Sequence, residues 1–238
     1  VPEFQRIFAE EGVPLDLVYM AHQESLFKPR AYSRARARGI WQFMEGPAKL
    51  YDLKVNWWLD ERLDAFKAAR AAARHLKDLY EEFGDWCLVL AGYNGGPGRV
   101  TRVFRRYGKM DYWEMARRRL LPRETRNHVP AILAAIIIYR NPDRYGFFVE
   151  PDPELTFVTV ALDYQIDLGV VADSLGVSHD LIGELNPELR KGVTPFDLVD
   201  YRLKVPVGTA ADLLPKLAAT LSDQQKKDKV RNLVQGLA

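Results

Sequence analysis

Apolar residues recur at helical spacing through most of the first 148 positions, and the pattern changes sharply after them. Phe4, Ile7 and Phe8 predict a short amphipathic turn that ends near Gly12. Leu15, Val18, Tyr19 and His22 predict a principal helix over 14–27, because Pro14 suits a first turn and Pro29 forbids continuation. Residues 30–38 carry no apolar period and read as loop. A further helix is expected over 41–50, open to interruption at Gly46-Pro47, and 55–60 reads as irregular and aromatic. Asp60 or Glu61 opens a long helix with Leu63, Phe66, Ala69, Ala73, Leu76, Leu79 or Tyr80, and Phe83 on one stripe, and Gly84 stops it. Asp85 caps the next helix, over 86–93. Shorter helices follow over 100–107 and 112–118. Arg123 to Arg140 closes this half, bent at Pro130 and ended by Asn141-Pro142.

Glu150-Pro-Asp-Pro153 reads as a stiff linker. Beyond it, 156–161 has the β-branched content of a strand. Asp167 caps a helix ended by Gly176, Ser178 caps a second ended by Asn186-Pro187, and 201–206 alternates as a closing strand. A β-α-α-β unit of about 50 residues is marginal alone, so docking on the first half is expected. The last segment, 209–238, reads as a charged helical tail with Leu213, Leu214, Leu217 and Leu221 as a stripe and a frayed end from Ser222. The expectation is a mainly α fold with domains at 1–148 and 155–208 and a helical tail at 209–238.

Composition narrows function mainly by exclusion. With 238 residues, 47% hydrophobic and 28% charged, the chain can bury a proper core. A net charge of +2 gives no argument for nucleic acid, and one cysteine, Cys87, excludes an internal disulfide. No apolar stretch reaches the length of a membrane span. The chain begins at Val1 without Met, which reads as trimming, so the lack of a targeting segment says nothing of location.

Candidate chemistry concentrates in residues 20–44. Glu24 falls in the last turn of a predicted helix, where the dipole disfavours negative charge and Leu26 or Phe27 would desolvate it. Both effects favour a protonated carboxyl, which a general acid needs near neutral pH. The same stretch also admits an ordinary surface carboxylate at a helix end. The basic clusters Arg34, Arg36, Arg38 and 117–119 read as solvated faces or as a surface for an anionic polymer. The glycine-rich 92–98 loop lacks a Lys-Ser/Thr ending and follows no strand, which excludes a nucleotide-phosphate loop.

An ordered set of pieces goes further: Glu24-Ser25, Pro29-x-Ala31-Tyr-Ser33, Gly39-Ile-Trp-Gln42-Phe-Met44, Tyr93-Asn94-Gly-Gly-Pro-Gly and Arg123-Glu-Thr-Arg126. On these, residues 1–148 resemble the catalytic domain of lytic transglycosylases of the membrane-bound D type, which implies a goose-lysozyme-like helical fold. The resemblance makes Glu24 the single catalytic acid and base. Ser33 matches a serine that helps hold the reacting sugar or the carboxylate. Gln42 and Met44 would line the glycan groove, and Tyr93 and Asn94 would face Glu24. Glu124 matches a cleft-supporting acid, though a first-turn surface residue fits as well.

This chain departs from the pattern at two places. His128 stands where the family has Tyr, and either ring can hydrogen-bond a carboxylate or sugar, so functional and structural roles both stay open. Arg36 and Arg38 replace small residues, which would narrow the cleft or meet anionic peptide stems. The implied reaction splits the MurNAc–GlcNAc bond and closes a 1,6-anhydro ring, with no cofactor and no metal. Hydrolysis by the same fold and an inactive glycan-binding scaffold are the rival readings.

Residues 155–208 resemble a degenerate lysin-motif-like module through Leu185-Asn186-Pro187 and Leu203-Lys-Val-Pro206, while 191–200 fits poorly. Wall binding and structural support are both open for it. The implied partner is peptidoglycan glycan strands rather than nucleic acid. The implied location is the periplasm or outer membrane, with a lipid anchor on the full-length protein, and a monomer is expected.

Overall fold

The computed structural model describes residues 1–148, 150, 156–162, 164–195 and 201–220. It separates into two units: Val1–Leu53 with Ala65–Glu150, and Lys54–Asp64 with Pro151–Ala238.

The first unit is helical. Helix α1 (Pro2–Glu11) begins with Pro in its first turn, ends at left-handed Gly12, and buries Phe4, Ile7 and Phe8. The principal helix expected over 14–27 is shorter. A 3-10 turn, Leu15–Tyr19, leads into α2 (Met20–Ser25). Leu26 and Phe27 then stop it, both left-handed, with their amides folded back on the carbonyls of His22 and Ala21. Two consecutive non-glycine residues at positive φ cost roughly 1 kcal/mol or more each, so the surroundings must hold them there.

The helix expected over 41–50 is also corrected, to α3 (Glu45–Leu50) alone. Gln42 is left-handed at φ 49, its amide donates to the Gly39 carbonyl, and Arg38 bridges both Tyr32 and Phe43. The 39–44 stretch is therefore a tight turn. Pro47 sits in the first helical turn, where its missing N–H costs nothing.

The long helix starts later than expected, at α4 (Ala65–Phe83), because Glu61–Leu63 is a 3-10 turn and Asp64 is extended. Its buried face is Ala68, Ala69, Ala71, Ala72, Ala73, Leu76 and Leu79, and the alanines let α1 approach closely. Helix α5 (Trp86–Gly95), capped by the Asp85 carboxylate on the Leu88 N–H, buries Leu88 to Gly92 in the centre of the unit. Around it lie α6 (Pro97–Tyr107), α7 (Tyr112–Arg117) and α8 (Arg123–Arg140), which carries Pro130 within it. Trp41, Tyr112, Phe8, Met20, Leu76, Leu90, Met115 and Ile132 are fully buried in this core.

The second unit pairs β1 (Phe157–Leu162) antiparallel with β2 (Tyr201–Pro206), with Val160 opposite Leu203. Between them run α9 (Leu168–Leu175) and α10 (His179–Leu185), capped by Asp167 and Ser178 as the sequence predicts. Helix α11 (Ala210–Thr220) packs on α9, and Leu213 and Leu217 enter the core while Leu214 is exposed. The expected linker at 151–153, the second half of the 191–200 loop and the tail after 220 lie outside the described residues.

The sequence gives no sign that Lys54–Asp64 belongs to the second unit. Asn56 takes the Trp58 and Leu59 N–H groups on its side-chain oxygen, and Glu61 takes the Lys54 N–H, closing a small hairpin. Leu59 is fully buried in the second core and bridges Leu189. Lys204 donates to Asp64 and Glu188, each at 2.7 Å, and Tyr201 donates to Glu188 at 2.8 Å. Arg62 holds Asp60 through two parallel hydrogen bonds of 2.8 Å. All of these charged groups are buried. Burial pushes the Glu188 carboxyl up, against the pull of Lys204. Lys204 is raised: burial lowers it, and the Asp64 and Glu188 carboxylates outweigh that.

Candidate active site

Glu24 projects from the last turn of α2, and its side chain is only 12% exposed. Nε2 of His128, on α8, lies 3.1 Å from Glu24 Oε1, and the His128 side chain is 6% exposed. Neither of those two atoms makes an aligned hydrogen bond to another described protein group. The two atoms are thus close in space, while their hydrogen-bonding capacity stays open.

Several contacts fix this arrangement. Ser25, next to Glu24, donates to the Ile40 carbonyl at 2.8 Å, which ties the end of α2 to the 39–44 turn. On the opposite face of α2, His22 Nδ1 meets the Tyr139 hydroxyl at 3.0 Å, and Tyr139 stacks on Tyr19 at 4.6 Å. The turn itself is anchored by Trp41, whose ring packs on Phe4 and Phe8 and whose N–H donates to the Ala65 carbonyl. The Tyr93 hydroxyl donates to the Trp41 carbonyl at 2.7 Å. Burial first, and then the Glu24 carboxylate, push the Tyr93 phenol well above its ordinary value, which keeps it a neutral donor.

Asn94 accepts a 2.8 Å hydrogen bond from Thr125, the middle residue of the Glu124-Thr-Arg126 stretch. A Cβ on Gly95 would sit 2.9 Å from Thr125 Oγ1, so glycine there permits the close approach of α5 and α8. Thr125 and Ser25 are the supporting residues whose roles pattern reading did not assign. Their signal was their place beside a motif carboxylate, which does not say which neighbour turns inward.

The remaining expected residues are more peripheral. Gln42 spends its amide on its own turn, and Met44 is exposed. Ser33 accepts the Ala37 N–H at 3.0 Å, so its oxygen caps the 33–37 turn while its proton is left for another acceptor. Glu124 is exposed in the first turn of α8. Arg38 lies 4.9 Å over the Tyr32 ring. Among the described residues no group of three or more His, Cys, Asp or Glu is placed to hold a metal ion. The site therefore offers one buried carboxylate, one imidazole and a neutral phenol, a set suited to moving a proton.

The helical first unit has the lysozyme-like fold of solved lytic transglycosylases. The lytic transglycosylase Slt of Pseudomonas aeruginosa, solved as an inactive glutamate-to-glutamine mutant, superposes with TM-score 0.51 at 22% identity over 60% of this chain and 24% of that one, a likeness of fold. The 70 kDa soluble lytic transglycosylase of Escherichia coli gives TM-score 0.50 at 27% identity over 61% of this chain and 24% of that one. A 70 kDa soluble lytic transglycosylase has also been solved in complex with bulgecin A.

Residues 4–116 match the transglycosylase SLT domain, and residues 156–221 match the lytic transglycosylase MltD LysM-like domain. The membrane-bound lytic murein transglycosylase D of Escherichia coli is 34% identical over 216 residues, 88% of this chain and 47% of that protein. The chain belongs to the lytic transglycosylases of this D type. It spans about half the length of the curated relatives it matches in this way.

Proposed function

We propose that the chain is a peptidoglycan lytic transglycosylase and that Glu24 carries the reaction. Protonated Glu24 gives its proton to the oxygen joining N-acetylmuramic acid to N-acetylglucosamine, and the bond from that oxygen to muramoyl C1 breaks. The substrate's 2-acetamido group stabilises the positive charge on C1. Ionised Glu24 then takes the proton of the muramoyl 6-hydroxyl as that oxygen bonds to C1. A 1,6-anhydro ring forms, Glu24 is protonated again, and no water is consumed.

The observation that carries this reading is the buried, hydrogen-bond-poor Oε1 of Glu24 beside His128. A carboxyl that must first donate and then accept needs an oxygen not already committed to the protein. Ordinary glycosidases divide these roles between two carboxylates. In this reading one carboxylate serves because the substrate supplies the second group.

Ser33, Gln42, Met44, Tyr93 and Asn94 form the glycan groove in this reading, with His128 and Glu124 supporting it. Glycan strands of the bacterial envelope are the partner, in the periplasm or at the outer membrane. Among the described residues no helix is long and apolar enough to cross a membrane. The functional division follows the matched regions, with catalysis in the first and glycan binding or support in the LysM-like second.

Mass spectrometry of muropeptides released from purified sacculi tests the proposal. Products carrying a 1,6-anhydro end, and their loss in Glu24→Gln, are expected. Reducing-end products that incorporate labelled water would replace it with hydrolysis. Bulgecin A, bound by the soluble relative, is expected to slow release.

A further inference from the structure

Against Tyr93 lies a cluster of titratable side chains that the reaction above does not use. Tyr51 donates its hydroxyl proton to the Asp78 carboxylate at 2.8 Å, and the same oxygen lies 2.9 Å from His75 Nδ1. A phenol has one proton. With that proton on Asp78, Tyr51 must accept from His75, which fixes the imidazole as the Nδ1–H tautomer. The His75 ring then packs against Tyr93 with centroids 5.3 Å apart, and Phe43 closes on both rings at 6.4 and 6.2 Å. Tyr93 in turn holds the Trp41 carbonyl in the turn that carries Gln42.

We propose that Asp78, Tyr51 and His75 are positioning residues, a relay that sets the ring of Tyr93 and through it the 39–44 turn beside Glu24. Each member fixes one degree of freedom of the next: Asp78 the Tyr51 proton, Tyr51 the His75 tautomer and ring plane, His75 the seat of Tyr93. None of the three is assigned contact with the reacting atoms. The groups facing His75 are Tyr51, Asp78 on its own helix, and Tyr93 and Phe43 from neighbouring segments. Burial, opposed by Asp78, holds its imidazole below the ordinary value, so the neutral form that needs a tautomer is the form present near neutrality.

The inference rests on the reading of Glu24 as the reacting acid, and the experiment separates the two. Release of anhydro-muropeptides by the unaltered chain is measured first, and its absence would dispose of the activity without touching the relay. Tyr51→Phe and Asp78→Asn are then compared in the unaltered chain and in a Tyr93→Phe background. Each is expected to lower kcat by roughly tenfold with little change in KM, as misplacement in a cleft does. In the Tyr93→Phe background neither is expected to lower it further. Unchanged kcat in both variants, or full additivity with Tyr93→Phe, would overturn the relay. Asp78 is exposed, so its variant tests the idea even where Tyr51→Phe folds poorly. Nitrogen-15 NMR of the His75 ring gives a readout free of activity. The Nδ1–H form is expected, becoming mixed in Tyr51→Phe, whereas the Nε2–H form in the unaltered chain would refute the proposal.

Discussion

At the scale of single residues, His128, where the sequence resemblance leads one to expect a tyrosine, has its Nε2 3.1 Å from Glu24 Oε1. Its worth is testable because this is the carboxyl oxygen that the proposed reaction uses. His128→Ala is expected to lower the rate of muropeptide release by roughly a hundredfold, while His128→Tyr retains most of it. Equal rates for His128→Ala and the unaltered chain would show that the pair is incidental. His75 makes a different prediction. Burial, opposed by Asp78, holds its folded value below 6.5, so over that range the folded chain binds fewer protons than the unfolded one. Its contribution to stability is therefore present above 6.5 and lost as the pH falls through the folded value. The melting temperature of His75→Phe should decline less than that of the unaltered chain across that window, and equal declines would contradict this. Glu24 was legible as a carboxylate at a helix end next to apolar residues. Thr125 was not, because the sequence shows Glu124, Thr125 and Arg126 side by side and only the rotation of α8 decides which turns toward Asn94.

At the scale of elements, reading succeeded where ends carry strong local chemistry. The bounds of α8 at Arg123 and Arg140, the Asp85, Asp167 and Ser178 caps and the stop at Gly176 all rest on hydrogen bonds within a few residues. It failed where tertiary context overrides propensity. Leu26, Phe27 and Gln42 take left-handed conformations that no local rule assigns to them. Asp64 looks like part of a helix start, yet its carboxylate is the acceptor for Lys204. That bond can be weighed. Lys204→Met strands Asp64 and Glu188 in the second core, and a loss of about 3–5 kcal/mol in urea unfolding of that unit is expected. A loss below about 1 kcal/mol, the range of surface ion pairs, would show that the network is solvated.

At the scale of the whole molecule, two cores divide the chain, but the division does not follow the sequence order. Periodicity locates the helical half and the β-α-α-β half because each writes its own repeat. It cannot show that an eleven-residue hairpin from within the first half is built into the second core, since Leu59 and Asp64 are unremarkable residues whose partners lie far along the chain. The consequence is direct: a chain of residues 151–238 alone lacks Leu59, Asp60, Arg62 and Asp64. It should give no cooperative thermal transition, whereas a chain that also carries 54–64 should. A sharp transition in the short chain would show that the hairpin is dispensable.

The Asp64–Lys204 bond joins residues 140 positions apart. During synthesis the hairpin leaves the ribosome long before β2 exists, so helices α4 to α8 are made while its buried side chains still face water. Closing so distant a contact is slow and entropically costly. The second core is consequently among the last parts of the chain to settle, and a translation product halted before residue 204 carries an acidic, aromatic loop with nothing to close over it.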